Sequence, residues 1–166
     1  MKREKNNFYS EKALEAGEAA KKSYGTKKVA EAYDPWTKED NKDYKLEVNK
    51  ILEIAKKYGN HNNKTLLDLG CGTGNHLVIL RKYYECVGID AFESMLRIAR
   101  KKAKDVKFKK ANMQDFSLHK KFDVIICLYS VISYSGTYFV FKRTLKNIYN
   151  HLNIGGVLII DRKSVV

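Results

Sequence analysis

The sequence predicts an α/β protein built on a doubly wound parallel sheet, and three observations support this prediction. Five short apolar segments alternate with longer segments of helical periodicity, the order that βαβ units produce. One apolar segment is interleaved with lysines and another is continuously apolar, as expected for an edge strand and a central strand. A glycine-rich turn follows the first apolar segment. Right-handed crossovers then place helices on both faces of the sheet.

The strands and helices follow from the local patterns. We expect strands at residues 65–69, 86–89, 106–109, 122–128 and 157–160, and helices near 75–83, 93–103 and 138–152. An earlier amphipathic helix begins near Lys42, because Val48, Ile51, Leu52 and Ala55 recur at helical spacing before Gly59. Lysines alternate with Val106 and Phe108 in the third strand, which places it at an edge. The expected strand order is 3-2-1-4-5.

Residues 1–29 are expected to form a helical appendage, and residues 30–166 a single domain. The only signals in the first segment are Ser10 as a helix N-cap and a weak helical pattern interrupted by Gly17. Pro35, the single proline, lies between this segment and the first strong helix. A chain of 166 residues is long enough for one core and short for two.

Composition narrows the class of protein. No apolar run approaches the ~18 residues of a membrane span, and the charged N-terminus lacks the apolar stretch of a secretory signal, so the expected location is the cytoplasm. Cys71, Cys86 and Cys127 are widely spaced and are interpreted as buried thiols. The four histidines form no cluster, so no metal site is expected.

The net charge of +13 leaves a nucleic-acid partner open, since basic surfaces attract phosphates. That partner is not favoured, because the lysines are spread over helix faces and an edge strand and are interleaved with glutamates. A lysine-rich composition of this kind also suits a thermophilic protein.

The segment LLDLGCGTGNH, residues 66–76, is a strand that runs into a glycine-rich turn and then a helix. Its glycines permit a tight turn and a close approach of the backbone to a ligand. Asp90 follows Gly70 by twenty residues, at the end of the second strand, where a carboxylate can accept the hydroxyl protons of a ribose. Turn, strand and acid together indicate a nucleotide-containing cofactor.

Two residues distinguish a cationic cofactor from a dinucleotide. Asn75 stands where the dinucleotide fingerprint G-x-G-x-x-G/A has its third small residue. Asp68 lies in the strand just before the turn, which is unfavourable opposite a pyrophosphate and favourable opposite a sulfonium and an ammonium group. The expected cofactor is therefore S-adenosylmethionine and not NAD.

Five segments together resemble successive motifs of the class I methyltransferases: LLDLGCGTGNH, GIDAFESML, ANMQDF, FDVIICLYSVISY and HLNIGGVLIID. The resemblance covers residues 30 to 161 and is greatest to the small-molecule N-methyltransferases related to aminosugar N,N-dimethyltransferases, which share the run AEAYD…KDY. It implies a Rossmann-like fold and S-adenosylmethionine-dependent methyl transfer. Enzymes of this class ordinarily have seven strands, so the domain is expected to lack the last two and to be truncated at its C-terminus.

The resemblance also implies a set of cofactor-binding residues. Gly70, Gly72 and Gly74 cradle the methionine part, Asp90 holds the ribose, and Asn112 with Met113 meets the adenine edge. Asn112 departs from the usual aspartate. The complete predicted set is Tyr33, Tyr44, Asp68, Gly70, Cys71, Gly72, Gly74, His76, Asp90, Ala91, Met95, Asn112, Met113 and Leu128.

Acceptor residues are expected in the loop after the fourth strand. Methyl transfer from a sulfonium is an in-line displacement that depends mainly on holding the nucleophile ~3–3.5 Å from the methyl carbon. Tyr129 and Tyr134 lie in this loop, at the carboxyl end of the sheet, and are the predicted acceptor-pocket residues. Thr37 stands where the resembling sugar enzymes have a further tyrosine. The expected acceptor is a small molecule with an amine.

Two other functions remain open at this point. A nucleic-acid methyltransferase is disfavoured because the loop after the fourth strand has neither an N/D-P-P-Y/F motif nor a Pro-Cys pair. The second alternative is a non-catalytic cofactor-binding remnant. A related prediction concerns assembly: residues 157–160 are continuously apolar, so their outer edge is expected to pair with a second copy or a partner subunit, unless residues 1–29 fold back over it.

Overall fold

The computed structural model describes residue 19, residues 22–60 and residues 64–161. The helices are α1 (Lys27–Glu39), α2 (Tyr44–Tyr58), α3 (Asn75–Leu80), α4 (Glu93–Lys102) and α5 (Tyr138–His151), with a 3₁₀ helix at Val131–Ser135. The strands are β1 (Thr65–Leu69), β2 (Glu85–Asp90), β3 (Lys107–Lys110), β4 (Phe122–Cys127) and β5 (Leu152–Ile160).

The five strands form one parallel sheet in the order β3-β2-β1-β4-β5, which confirms the predicted fold and strand order. Consecutive residues of a strand face opposite sides, and both sides of this sheet are covered. Leu66 packs into a core with α2, α3 and α4, whereas Leu67 packs into a second core with α5 and the loop around Phe116. This two-sided burial explains why the central strands are continuously apolar.

Parallel strands bring their carboxyl ends to one edge of the sheet. Leu67 pairs with Val87 in β2 and with Ile125 in β4, so β1, β2 and β4 end close together. The loops that follow them start with Gly70, Ala91 and Leu128. Ligands of open α/β sheets bind at this edge.

The helix α1 was not predicted. It is capped by the Thr26 hydroxyl, which accepts a hydrogen bond from the Val29 N–H, and it contains Pro35 in its interior. Proline ordinarily ends a helix because it lacks an N–H, and the sequence analysis placed Pro35 between the N-terminal segment and the first strong helix. The helix also crosses the expected boundary between residues 29 and 30, while Ser10 and Gly17 lie outside the described residues.

The strand β5 begins five residues earlier than predicted. Its pairing with β4 shifts register between Phe122 and Val124, and Gly155 has a φ of 74°. An irregular strand with a left-handed glycine loses the pattern by which a strand is recognised in a sequence. The chain leaves β4 after Cys127, because Tyr129 and Ser130 have positive φ values of 60° and 55°.

Two further findings concern the described part of the chain alone. None of its helices combines the length and the apolar character needed to cross a membrane. Its side chains also include no group of three or more metal-ligating residues. Cys71, Cys86 and Cys127 are all free and buried.

Candidate cofactor and acceptor site

A cavity of about 320 Å³ opens at the carboxyl edge of the sheet, and a smaller polar pocket of about 50 Å³ adjoins it. The two spaces share the lining residues Tyr33, Gly70, Gly72, Tyr129 and Val131. Of the sixteen residues predicted to contact cofactor or acceptor, Gly74 alone lines neither space. Their roles stay predictions, but the structure gathers them at one place.

The glycine-rich turn lies between the two spaces. Gly70 has a φ of 74°, and a Cβ atom added to it would lie 2.6 Å from Cγ1 of Val131. Gly74 also has a positive φ, and it packs against Ala99 on α4, away from the cavity. The backbone thus requires glycine at position 70 for both conformation and space.

Asp90 ends β2 and is 8% exposed. Its Oδ2 accepts the Gly72 N–H at 2.9 Å and its Oδ1 accepts the Phe92 N–H at 2.8 Å. Burial raises the pKa of this carboxyl, and the backbone hydrogen bonds oppose the rise. A carboxylate has about four acceptor sites, so Asp90 retains capacity to accept hydroxyl groups in the larger cavity.

Asp68 lies in β1 and is 3% exposed. Burial raises its pKa to about 7, while nearby His76 lowers that pKa and Asp90 raises it further. The residue lines the smaller pocket. A cationic group placed there would restore the ionised carboxylate.

Three aromatic rings enclose the smaller pocket. The His76 ring makes edge-to-face contacts with Tyr44 and Tyr129 at centroid distances of 5.1 and 5.8 Å. The hydroxyl oxygens of both tyrosines are buried, and neither has a hydrogen-bond partner among the described residues. Buried polar groups are rarely left unpaired, so these two hydroxyls point to a polar ligand.

Two charged residues from the N-terminal side, not identified from the sequence, orient this aromatic group. The Nε2 atom of His76 lies 2.8 Å from Oε2 of Glu47, and Glu47 forms an ion pair of 2.6 Å with Lys42. The Nζ atom of Lys42 also lies 3.7 Å from the centroid of the Tyr129 ring. These contacts join residues that are distant in sequence, and no local motif carries them.

The far end of the larger cavity is mostly apolar. Ala91, Met95, Asn112 and Met113 line it, together with Phe92 and Gln114, which were not predicted. The Asn147 side chain from α5 donates to the carbonyl oxygens of Met113 and Phe116 at 3.4 and 3.1 Å and so holds this loop in place. Apolar walls beside the amides of Asn112 and Gln114 suit a planar heterocycle.

Three tyrosines form another wall of the larger cavity. The Tyr24 ring lies 6.3 Å from that of Tyr33 and 6.5 Å from that of Tyr134, centroid to centroid, in edge-to-face contacts. Burial, with Tyr24 adding to its effect, raises the pKa of Tyr134 to about 12, so its hydroxyl stays protonated at neutral pH. Tyr24 was missed because it lies in the segment interpreted as an appendage.

Residues outside the two spaces have structural contacts. Thr37 donates its hydroxyl hydrogen to the Asp34 carbonyl at 3.0 Å and lines a separate, more open pocket. His151 packs on Phe116 and accepts the Leu118 N–H at 3.3 Å. Cys71, by contrast, lines the smaller pocket. Burial raises the pKa of its thiol well above the usual value, and its backbone N–H donates to the Ile89 carbonyl.

The chain belongs to a family of methyltransferase domains, which it matches over residues 60–165. It is 30% identical to a dTDP-3-amino-3,4,6-trideoxy-alpha-D-glucopyranose N,N-dimethyltransferase of Streptomyces venezuelae, over 80% of this chain and 56% of that protein.

Solved structures agree with this assignment. The Streptomyces venezuelae protein DesVI has a TM-score of 0.77 at 30% identity, over 81% of this chain and 57% of that one. The amino pentose methyltransferase CalS10 of Micromonospora echinaspora, solved with bound S-adenosylmethionine, has a TM-score of 0.76 at 25% identity, over 80% and 56%. The chain therefore spans little more than half the length of these relatives.

Proposed function

We propose that this chain is the cofactor-binding core of an S-adenosylmethionine-dependent methyltransferase that acts on a small-molecule amine. The observation that carries the proposal is the pair of adjoining pockets. One pocket offers Asp90 beside apolar walls. The other offers Asp68 and two tyrosine hydroxyls that have no hydrogen-bond partner within the described part of the chain. A nucleoside linked to a zwitterionic amino acid has this distribution of groups.

The residues fit the cofactor part by part. The larger cavity accommodates the adenosine, with Asn112 at the base and Asp90 at the ribose hydroxyls. Asp68 faces the ammonium group in the smaller pocket, and the Tyr44 and Tyr129 hydroxyls donate to the carboxylate. When bound, S-adenosylmethionine supplies an electrophilic methyl group. The protein's contribution is to hold the acceptor in line with it.

The acceptor space is assigned to the tyrosine wall of the larger cavity. Tyr134 and Tyr129 both line this cavity. Because the pKa of Tyr134 is raised to about 12, its hydroxyl acts as a hydrogen-bond donor toward the acceptor and not as a general base. We assign the Tyr134 hydroxyl and the ring of Tyr129 to positioning the amine, since the Tyr129 hydroxyl is assigned to the carboxylate of the cofactor.

A small amine is the proposed acceptor because the similar Streptomyces venezuelae protein is an aminosugar N,N-dimethyltransferase. The loop after β4 has none of the nucleic-acid motifs, so the alternative nucleic-acid substrate is not adopted. A cytoplasmic location and the division at residue 30 stay predictions from the sequence.

Association through β5 is also part of the proposal. This strand ends the sheet in the described part of the chain, and Ile154 and Ile160 are 96% and 38% exposed. An apolar edge strand is a template for another strand. Light scattering at micromolar concentration should show a dimer, or a monomer that binds a partner subunit.

Calorimetry with S-adenosylmethionine, S-adenosylhomocysteine and NAD tests the cofactor. We expect micromolar binding of the first two and none of NAD. Asp90→Ala should weaken binding at least about tenfold, because hydrogen bonds to charged groups contribute about 1.5–3 kcal/mol each. Glu53→Gln, on the exposed face of α2, is the matched control. If Asp90→Ala and the parent bound the cofactor with equal affinity, the assignment of Asp90 to the ribose would be wrong. Tighter binding of NAD than of S-adenosylmethionine would overturn the proposal.

A further inference from the structure

A polar cluster beside the smaller pocket joins α1 to the glycine-rich turn, and two of its members, Thr73 and Asn75, also line that pocket. The Oδ1 atom of Asp34 accepts the Thr73 hydroxyl at 2.6 Å and the Asn75 amide at 2.9 Å. Its Oδ2 atom accepts the Lys102 ammonium at 2.8 Å, and Lys102 also donates to the Asn75 amide oxygen. The four side chains come from α1, the turn, the start of α3 and the end of α4.

The cluster is built around an ionised carboxylate. The side chains of Asp34 and Lys102 are 35% and 26% exposed. Burial disfavours the charge on Asp34, but the hydrogen bonds from Lys102, Thr73 and Asn75 outweigh it and hold the pKa of this carboxyl below its usual range. A half-buried carboxylate with three donors is held more firmly than a surface ion pair.

The cluster gives Asn75 a physical role. A glycine or alanine at this position, as in the dinucleotide fingerprint, has no side chain to donate to Asp34 or to accept from Lys102. Asn75 does both. The residue that departs from the dinucleotide pattern is therefore the one that connects the turn to α1.

The chain neighbours of two cluster residues line the pockets. Tyr33, which lines both pockets, directly precedes Asp34 in α1. Thr73 directly follows Gly72, which also lines both pockets. A second contact fixes the start of the same region, since the Ser94 hydroxyl on α4 donates to the Gly25 carbonyl at 3.0 Å.

We infer that Asp34 is a positioning residue that fastens α1 to the glycine-rich turn and thereby holds Tyr33 over the bound cofactor. The inference rests on the proposed function, because it assigns Tyr33 to the wall of that cofactor site. Asp34 itself touches neither pocket that we assign to the cofactor. Its effect on the ligand is therefore transmitted through Tyr33 and the turn.

The test combines calorimetry with hydrogen exchange on the full chain, using S-adenosylhomocysteine as the probe. In the parent, the ligand should slow amide exchange across residues 27–39. Asp34→Asn and Lys102→Gln, which both change residues outside the two pockets, should each weaken binding at least about fivefold and abolish the ligand-dependent slowing in α1. Glu31→Gln is the matched control, because it removes an exposed acidic residue of the same helix that forms a surface ion pair with Lys27; it should leave both readouts unchanged.

A double-mutant cycle of Asp34→Asn with Lys102→Gln separates positioning from general destabilisation. If the residues act as one unit, the double variant binds about as weakly as each single variant. The inference would be overturned if Asp34→Asn bound the ligand as tightly as the parent and still showed the ligand-dependent slowing of exchange in α1. A lower melting temperature of Asp34→Asn, with affinity and slowing both unchanged, would also overturn it. If Asp34→Asn does not fold, Lys102→Gln carries the same two readouts. Absence of binding by the parent would instead overturn the proposed function and the inference with it.

Discussion

The two sides of the site differ in how they are specified. The sheet side, from Asp68 to Asp90, is fixed by short-range backbone requirements: a buried strand, positive φ values and an acid at a strand end. The N-terminal side, from Tyr24 to Glu47, is held by side-chain contacts between residues distant in sequence, such as Asp34 with Lys102 and Glu47 with His76. In the proposed function, the sheet side holds the nucleotide. The N-terminal side encloses it.

The largest effect is expected on the sheet side, from Gly70→Ala. The added Cβ would meet Val131 at 2.6 Å in a backbone with φ of 74°. A left-handed alanine costs ~1–2 kcal/mol and overpacking a further ~1–3 kcal/mol, so we expect the free energy of unfolding to fall by ~2–5 kcal/mol and cofactor binding to be lost. Chemical denaturation measures the free energy of unfolding, and calorimetry measures cofactor binding.

Gly72→Ala is the matched control for that substitution. Gly72 has a φ of 53°, but an added Cβ would meet no atom within 4 Å. Only the conformational cost of ~1–2 kcal/mol applies. Equal destabilisation at the two positions would show that the contact with Val131 does not decide the outcome.

The next effect concerns pH and the raised pKa of Asp68. The free protein holds this carboxyl with a pKa of about 7, and a cationic ligand favours the ionised form. Affinity for S-adenosylmethionine should therefore rise by about fivefold between pH 6 and pH 7, below the range in which the amino group of the ligand loses its proton. Calorimetry at several pH values measures this dependence. In Asp68→Asn, and for methylthioadenosine, which lacks the ammonium group, the profile should be flat; a steep profile in either would exclude Asp68 as its origin.

A smaller effect is expected on the N-terminal side, where one substitution should leave stability unchanged or raise it while it lowers cofactor affinity. Tyr44→Phe removes a buried hydroxyl that has no partner among the described residues, so the free protein should be unchanged or more stable by up to ~1 kcal/mol. Cofactor affinity should fall about threefold to tenfold, because the hydroxyl is assigned to the carboxylate. Melting curves and calorimetry give both values.

Tyr58→Phe, at an exposed position at the end of α2, controls for the loss of a tyrosine hydroxyl. It should alter neither stability nor affinity. Reduced stability of Tyr44→Phe with unaltered affinity would mean that the Tyr44 hydroxyl serves the fold and not the ligand.

The sequence was sufficient for the sheet and for most of the pocket lining. Strand order followed from the lysines around Phe108 and the continuous apolar run from Val124 to Leu128, because burial on one or two faces leaves a direct pattern. The helix α1 was missed because Pro35 normally ends helices, and packing against α4 and the turn overrides that preference. Tyr24, Glu47 and Lys42 were missed because only tertiary contacts bring them to the site.

The central claim is that the two adjoining pockets hold one S-adenosylmethionine molecule, and a crystal structure of the chain with S-adenosylhomocysteine tests it most directly. We predict the adenine beside Met95 and Asn112, the ribose hydroxyls on Asp90, and the amino acid end between Asp68, Tyr44 and Tyr129. A ligand bound elsewhere, or bound with its amino acid end away from Asp68, would contradict the account.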